Sequence, residues 1–107
     1  PCKSIIGLAK GADLLIYEAT FGDEFIELAE KAGHSTLSDG PRIAREAGVK
    51  QLILTHIGTL DSNIDVALER AREIFPKTEI AEDFMTLEVP YIGHPLHWLH
   101  KHYSYSF

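Results

Sequence analysis

Two compact, mostly apolar strips constrain this chain more than any other feature of its sequence. Residues 12–19 read ADLLIYEA and residues 49–55 read VKQLILT, continuous runs that suit strands buried on both faces, as in a parallel sheet covered by helices. Parallel neighbours need a crossover between them, and the intervening sequence supplies helical signals. Asp23 is expected to cap a helix with Phe25, Leu28, Ala29 and Ala32 on one face. Glu24 early and Lys31 late suit its dipole, and Gly33 ends it. A second helix is expected from near Ser38 to Gly48, carrying Ile43, Ala44 and Ala47. Pro41 must fall in its first turn, because an interior proline costs about 3 kcal/mol. Ser62-Asn63-Ile64-Asp65 has the form of a capping box, followed by Ile64, Ala67, Leu68, Ala71, Ile74 and Phe75 at helical spacing up to Pro76. Short strands are expected at 78–81 and 84–89. This order predicts an α/β layer with a mainly parallel sheet and flanking helices.

At 107 residues the chain can bury one modest core, so a single domain is expected. Ten basic against 16 acidic residues leave a net charge of −6, with no basic face for an electrostatic hold on nucleic acid. The lone cysteine, Cys2, excludes an internal disulfide and a multi-thiolate zinc site. No stretch approaches the roughly 18 apolar residues of a membrane span, and no signal peptide is recognisable. A soluble, cytoplasmic protein is therefore expected. Opening at Pro1-Cys2-Lys3, the sequence also reads as the middle of something larger.

In parallel α/β sheets, chemistry gathers beyond the carboxyl ends of the strands. Glu18 and His56 are expected at those ends. Burial at the sheet rim could raise the Glu18 pKa toward proton transfer, although a carboxylate there also serves to cap a helix or tether a loop. His34, between Gly33 and Ser35-Thr36, could reach a substrate or Glu18, or could be a solvated loop histidine. His56 sits where loops present an imidazole to a metal, but a catalytic zinc needs about three protein ligands, and no His/Asp/Glu cluster adjoins it in sequence. His94, His97, His100 and His102 crowd a tail with Trp98 and several tyrosines, composition that reads as a floppy or partner-packed segment with a sticky aromatic surface.

Taken together and in order, ADLLIYEATF at 12–21, GHST at 33–36, LILTHI at 52–57 and AREIFPKTEIAEDFMTLEV at 71–89 resemble the C-terminal part of ribonuclease Z, the tRNA 3′-processing endonuclease of the metallo-β-lactamase superfamily. The resemblance implies the C-terminal half of a metallo-β-lactamase-like αββα sandwich over residues 1–89, with 90–107 a His- and aromatic-rich tail of unknown role. It implies a zinc-dependent phosphodiesterase using two Zn2+ ions on a tRNA precursor, with Glu18 and His34 catalytic in proton transfer and His56 a metal ligand. The chain departs from that pattern at Tyr17, where the family has histidine. It departs again at Gly58-Thr59-Leu60, where a Ser-x-Arg-Tyr run supplies a phosphate-contacting arginine. The family's His-x-His-x-Asp-His run is absent from this sequence. The expectation is a fragment inactive by itself, forming a dimer or larger homo-oligomer to cover strand edges. Two alternatives remain: a hydrolase of a small phosphodiester or ester, and a non-catalytic self-associating fragment.

Overall fold

The computed structural model describes residues 3–58, 63–90 and 102–106. Three strands, β1 (Leu15–Glu18), β2 (Leu52–Thr55) and β3 (Thr78–Ile80), form a parallel sheet in the order β1-β2-β3. The helices are α1 (Ser4–Ala9), α2 (Ile26–Ala32, entered through a 3-10 turn at Asp23–Phe25), α3 (Asp39–Ala47) and α4 (Ile64–Ile74). A separate antiparallel pair joins β4 (Thr86–Pro90) to β5 (His102–Ser106), with Val89 opposite Tyr103. The expected α/β architecture with a parallel sheet and flanking helices is the one observed. The strands are shorter than the apolar strips that announced them, and β1, at the edge of the sheet with Ile16 exposed, is not buried on both faces as its sequence suggests.

β2 is the spine of the sheet. Leu52, Ile53 and Leu54 are all fully buried, which explains why this strand reads as a continuous apolar run, because successive side chains point to opposite faces and both faces are covered. Leu52 and Leu54 pack with Ala44 and Ala47 of α3, Ala67 and Ala71 of α4, and Ile80 of β3. Small helical residues let the backbones approach closely. At Gly40 an added Cβ would lie 3.0 Å from Leu54 Cδ2 and 3.2 Å from Tyr17 Cδ1, so the first turn of α3 sits directly on β1 and β2.

Both helices that precede a functional or buried segment end in the same way. Gly33 and Gly48 adopt left-handed φ values of 72° and 66°, as helix-terminating glycines do. His34 N–H then reaches back to Ala29 O at 2.9 Å, and Val49 N–H to Ala44 O at 3.2 Å. His34 therefore leaves α2 in a defined place rather than in a free loop.

Several expectations are corrected. Asp23 does not cap α2: its Oδ1 accepts Ser38 N–H at 3.0 Å and its other oxygen takes the Ser38 hydroxyl, so it satisfies the start of α3 instead. Asp39, which is buried, adds to that start by accepting Thr36 N–H at 2.7 Å while pairing with Arg42. Of the apolar face expected on α2, Ala29 is buried, whereas Phe25, Leu28 and Ala32 are exposed. Asn63 occupies the N-cap of α4 without a side-chain hydrogen bond, and Ser62 of the expected capping box lies outside the described residues. The helix α1 and the strand β5 were not anticipated. β5 places part of the expected floppy or partner-packed tail in an intrachain ladder, while His94, His97, His100 and Trp98 lie outside the described residues.

Candidate active site

Three side chains meet at the carboxyl end of the sheet. Glu18 ends β1 and is paired in register with Thr55, so His56 follows one residue beyond the β2 end. His56 adopts φ 53°, a left-handed conformation in which histidine is several-fold enriched among non-glycine residues. The bend carries its imidazole against His34, with ring centroids 5.4 Å apart and planes at 89°. Gly58 completes the bend. A Cβ there would collide with the Thr20 carbonyl oxygen, so only glycine lets this loop rest on the one that follows Glu18.

The third residue, His34, is brought in by a short bridge between two loops. Phe21 N–H donates to Ser35 O at 3.2 Å and Leu37 N–H donates to Phe21 O at 2.9 Å, which aligns residues 34–37 beside the chain leaving β1. His34 Nδ1 thereby lies 2.9 Å from Glu18 Oε2. Thr20 Oγ1 donates to the same carboxylate oxygen, and Ser35 N–H donates to Oε1 at 3.1 Å. The Ser35 hydroxyl in turn donates to Tyr17 OH at 3.4 Å. The Glu18 and His34 side chains retain 26% and 35% of their accessible surface, so the pair is sheltered yet reachable by a ligand.

This environment reverses one expectation. Burial pushes the Glu18 carboxyl up, but the hydrogen bonds from Thr20 and His34, the charge attraction of His34 and the Ser35 N–H together outweigh it and hold the pKa below its usual 4.5. The Glu18 carboxylate is thus favoured in its ionised form beside His34. A depressed carboxylate pKa stabilises the fold above the unfolded-state value and loses that contribution as pH falls through the folded value. Thermal stability should therefore decline below about pH 4.5. Glu18→Gln should lower stability at neutral pH by about 1–3 kcal/mol and flatten the acid limb of the profile. Melting temperatures from pH 3 to 7 check this; an acid limb identical in both proteins would contradict it.

Ligand-capable atoms of Glu18, His34 and His56 lie within 4.8 Å of one another. Both Glu18 oxygens already accept hydrogen bonds, and His34 Nδ1 faces the carboxylate. His34 Nε2 and the exposed His56 imidazole are what remain for a cation, fewer than the three protein ligands of a typical catalytic zinc. The residues fit a contribution to a metal site and not a whole one. Sequence reasoning singled out Glu18, His34 and His56, and the structure brings all three together. It assigned no role to Thr20, Ser35 or Tyr17, whose only sequence signal was hydroxyl groups placed beside the charged pair's own positions.

The same chain segments match known proteins. Ribonuclease Z of Methanothermobacter thermautotrophicus is 49% identical over 89 residues, which is 83% of this chain and 29% of that protein. The chain matches the C-terminal part of ribonuclease Z. Two solved structures agree with the fold: the metallo-β-lactamase fold protein YhfI of Bacillus subtilis, with a TM-score of 0.68 and 32% identity, and the short form of human tRNase Z, with 0.63 and 31%. They cover 77% and 85% of this chain, while the chain covers 33% and 30% of them. The chain thus spans less than a third of the length of the ribonuclease Z it matches. No protein-family profile matches it. No helix among the described residues is long and apolar enough to cross a membrane.

Proposed function

We propose that this chain forms the C-terminal part of a zinc-dependent phosphodiesterase of the ribonuclease Z type, an endonuclease acting on tRNA precursors, and that it supplies proton transfer and one metal ligand to that site. The observation that carries this reading is the 2.9 Å contact of His34 Nδ1 with Glu18 Oε2 beside the His56 ring. Donation of Nδ1–H to the carboxylate fixes the imidazole orientation and tautomer and leaves Nε2 toward the ligand. As the imidazolium, His34 gives its Nε2 proton to the departing ribose oxygen while that P–O bond breaks, and Glu18 stabilises the charged ring as it waits. Thr20 and Ser35 hold the carboxylate in place, so that the ring is not free to rotate away. Zinc, when bound, supplies charge neutralisation at the phosphate and an activated water, and His56 is the ligand this chain offers to it.

The test is a chimera that joins the upstream part of the Methanothermobacter relative to this chain, assayed on a tRNA precursor. A second reading, hydrolysis of a small phosphodiester or ester, is favoured by Gly58, because a serine at this position would strike the Thr20 carbonyl, and by Leu60 where the family places arginine. Comparing the tRNA precursor with an aryl phosphodiester separates the two. Preference for the aryl compound would replace the first reading with the second.

A further inference from the structure

His34 Nδ1 lies against the Glu18 carboxylate at 2.9 Å, which leaves Nε2, on the far side of the same ring, as its one nitrogen with a lone pair to offer. Histidines that bind metal are held in this way, because a carboxylate on one ring nitrogen fixes the tautomer and makes the other nitrogen a better donor. The ring has little freedom to turn. Phe21 stands against it with centroids 6.1 Å apart and planes at 64°, and the His34 backbone N–H is tied to Ala29 O at 2.9 Å.

A second imidazole comes from the other loop. His56 meets His34 edge-on at 5.4 Å between centroids, carried by its left-handed backbone and by the close rest of Gly58 on Thr20. Ligand-capable atoms of Glu18, His34 and His56 fall within 4.8 Å of one another. Two imidazole nitrogens on one tetrahedral ion stand about 3.3 Å apart, so a small rotation of the exposed His56 ring brings the pair to that spacing. A cavity of about 720 Å³, lined by Glu18, His34, Glu30 and Tyr17 among others, gives a cation an acidic approach.

We propose that this chain by itself binds one divalent transition-metal ion between His34 Nε2 and the His56 imidazole, with Glu18 holding His34 from behind and water filling the remaining positions. Two neutral nitrogen donors favour Zn2+, Ni2+ or Cu2+ over Mg2+ and Ca2+, which demand oxygen. This role of His34 lies beyond the phosphodiesterase reading, because a metal ion and a proton compete for the same Nε2 lone pair. In the chimera the upstream part completes the ligands of an ion on His56, so His34 keeps its proton there and is not needed to hold zinc.

The test is titration of the metal-free 107-residue chain with Zn2+, followed by calorimetry and by nitrogen-15 magnetic resonance of the histidine rings. One ion per chain should bind, with His34 Nε2 and one His56 nitrogen shifting together while His34 Nδ1 stays protonated. These shifts are read on the parent chain and do not depend on how a variant folds. His34→Ala and His56→Ala should each abolish saturable uptake, and Glu18→Gln should weaken it about ten-fold or more. Mg2+ should move none of these signals. The tail offers competing imidazoles, so the combined variant His94→Asn, His97→Asn, His100→Asn should bind as the parent does. Loss of binding in that variant, with His34 and His56 signals still, would overturn the proposal in favour of the tail. Half an ion per chain would overturn it in favour of an ion shared by two copies. Absence of uptake, shifts confined to His56, or weak shifts spread over every histidine would mean an adventitious ion only or none. Each of these results would leave the phosphodiesterase reading standing, since the chimera tests that separately.

Discussion

His34→Ala, placed in the chimera, should lower the rate of tRNA precursor cleavage by about 10²–10⁴-fold, the range for loss of a positioned general acid. The magnitude follows from the geometry. His34 is the one imidazole of the site whose Nδ1 is held by a carboxylate, at 2.9 Å, and that carboxylate is fixed by Thr20 and Ser35. In the proposed mechanism, removing the ring removes the proton donor and leaves the Glu18 carboxylate without its imidazole partner. Substrate affinity should change little, because the loss falls on a step made in the transition state. Glu18→Gln should follow with a smaller loss in rate, since the ring remains but its tautomer is no longer enforced. Single-turnover cleavage rates measure both effects, and a His34→Ala rate within about three-fold of the parent would show that the proton comes from elsewhere.

Leu54→Ala should destabilise the 107-residue chain by about 2–5 kcal/mol, the cost of a cavity left by a fully buried leucine. Leu54 is 0% exposed, its Cδ2 faces Gly40 of α3, and its carbonyl receives Ala81 N–H from the turn after β3. The side chain thus fills the space between the sheet and the helix that starts beneath the site. Small domains have net stabilities of about 5–15 kcal/mol, so this one change should remove a large part of the margin and lower the denaturation midpoint markedly. Val66→Ala, on the exposed face of α4, is the control and should shift stability by no more than about 0.5 kcal/mol. Urea denaturation of the two variants separates the cases. Equal losses would mean that β2 is not the buried spine of the fold.

The parts of this molecule that the sequence declared are those governed by neighbours along the chain. The run LILT has one physical solution, a strand covered on both faces, and it became β2. Gly33 and Gly48 ended their helices because no other residue takes the left-handed φ so readily. α1 escaped notice because SIIGLA is six residues long, contains Gly7 and lacks a side-chain cap. β5 escaped because HYSYS resembles tail composition until β4 lies beside it, a pairing of segments distant in sequence. Asp23 was misplaced for a similar reason: its carboxylate is spent on Ser38, in the next helix, rather than on the helix it precedes. The site shows the same division. Strand ends pointed to Glu18 and His56, but the direction of the Glu18 pKa shift depended on Thr20, His34 and Ser35 converging on two oxygen atoms. Spacing carries no information about such convergence, and burial by itself suggested the opposite sign.

The central claim is that one part of this site moves protons while another holds metal. Zinc content measured beside cleavage rate, for His34→Ala and His56→Ala in the chimera, tests that division most directly. The account predicts that His56→Ala loses bound zinc and activity together, whereas His34→Ala keeps its zinc and loses activity. Full zinc in His56→Ala, or zinc lost from His34→Ala, would contradict it.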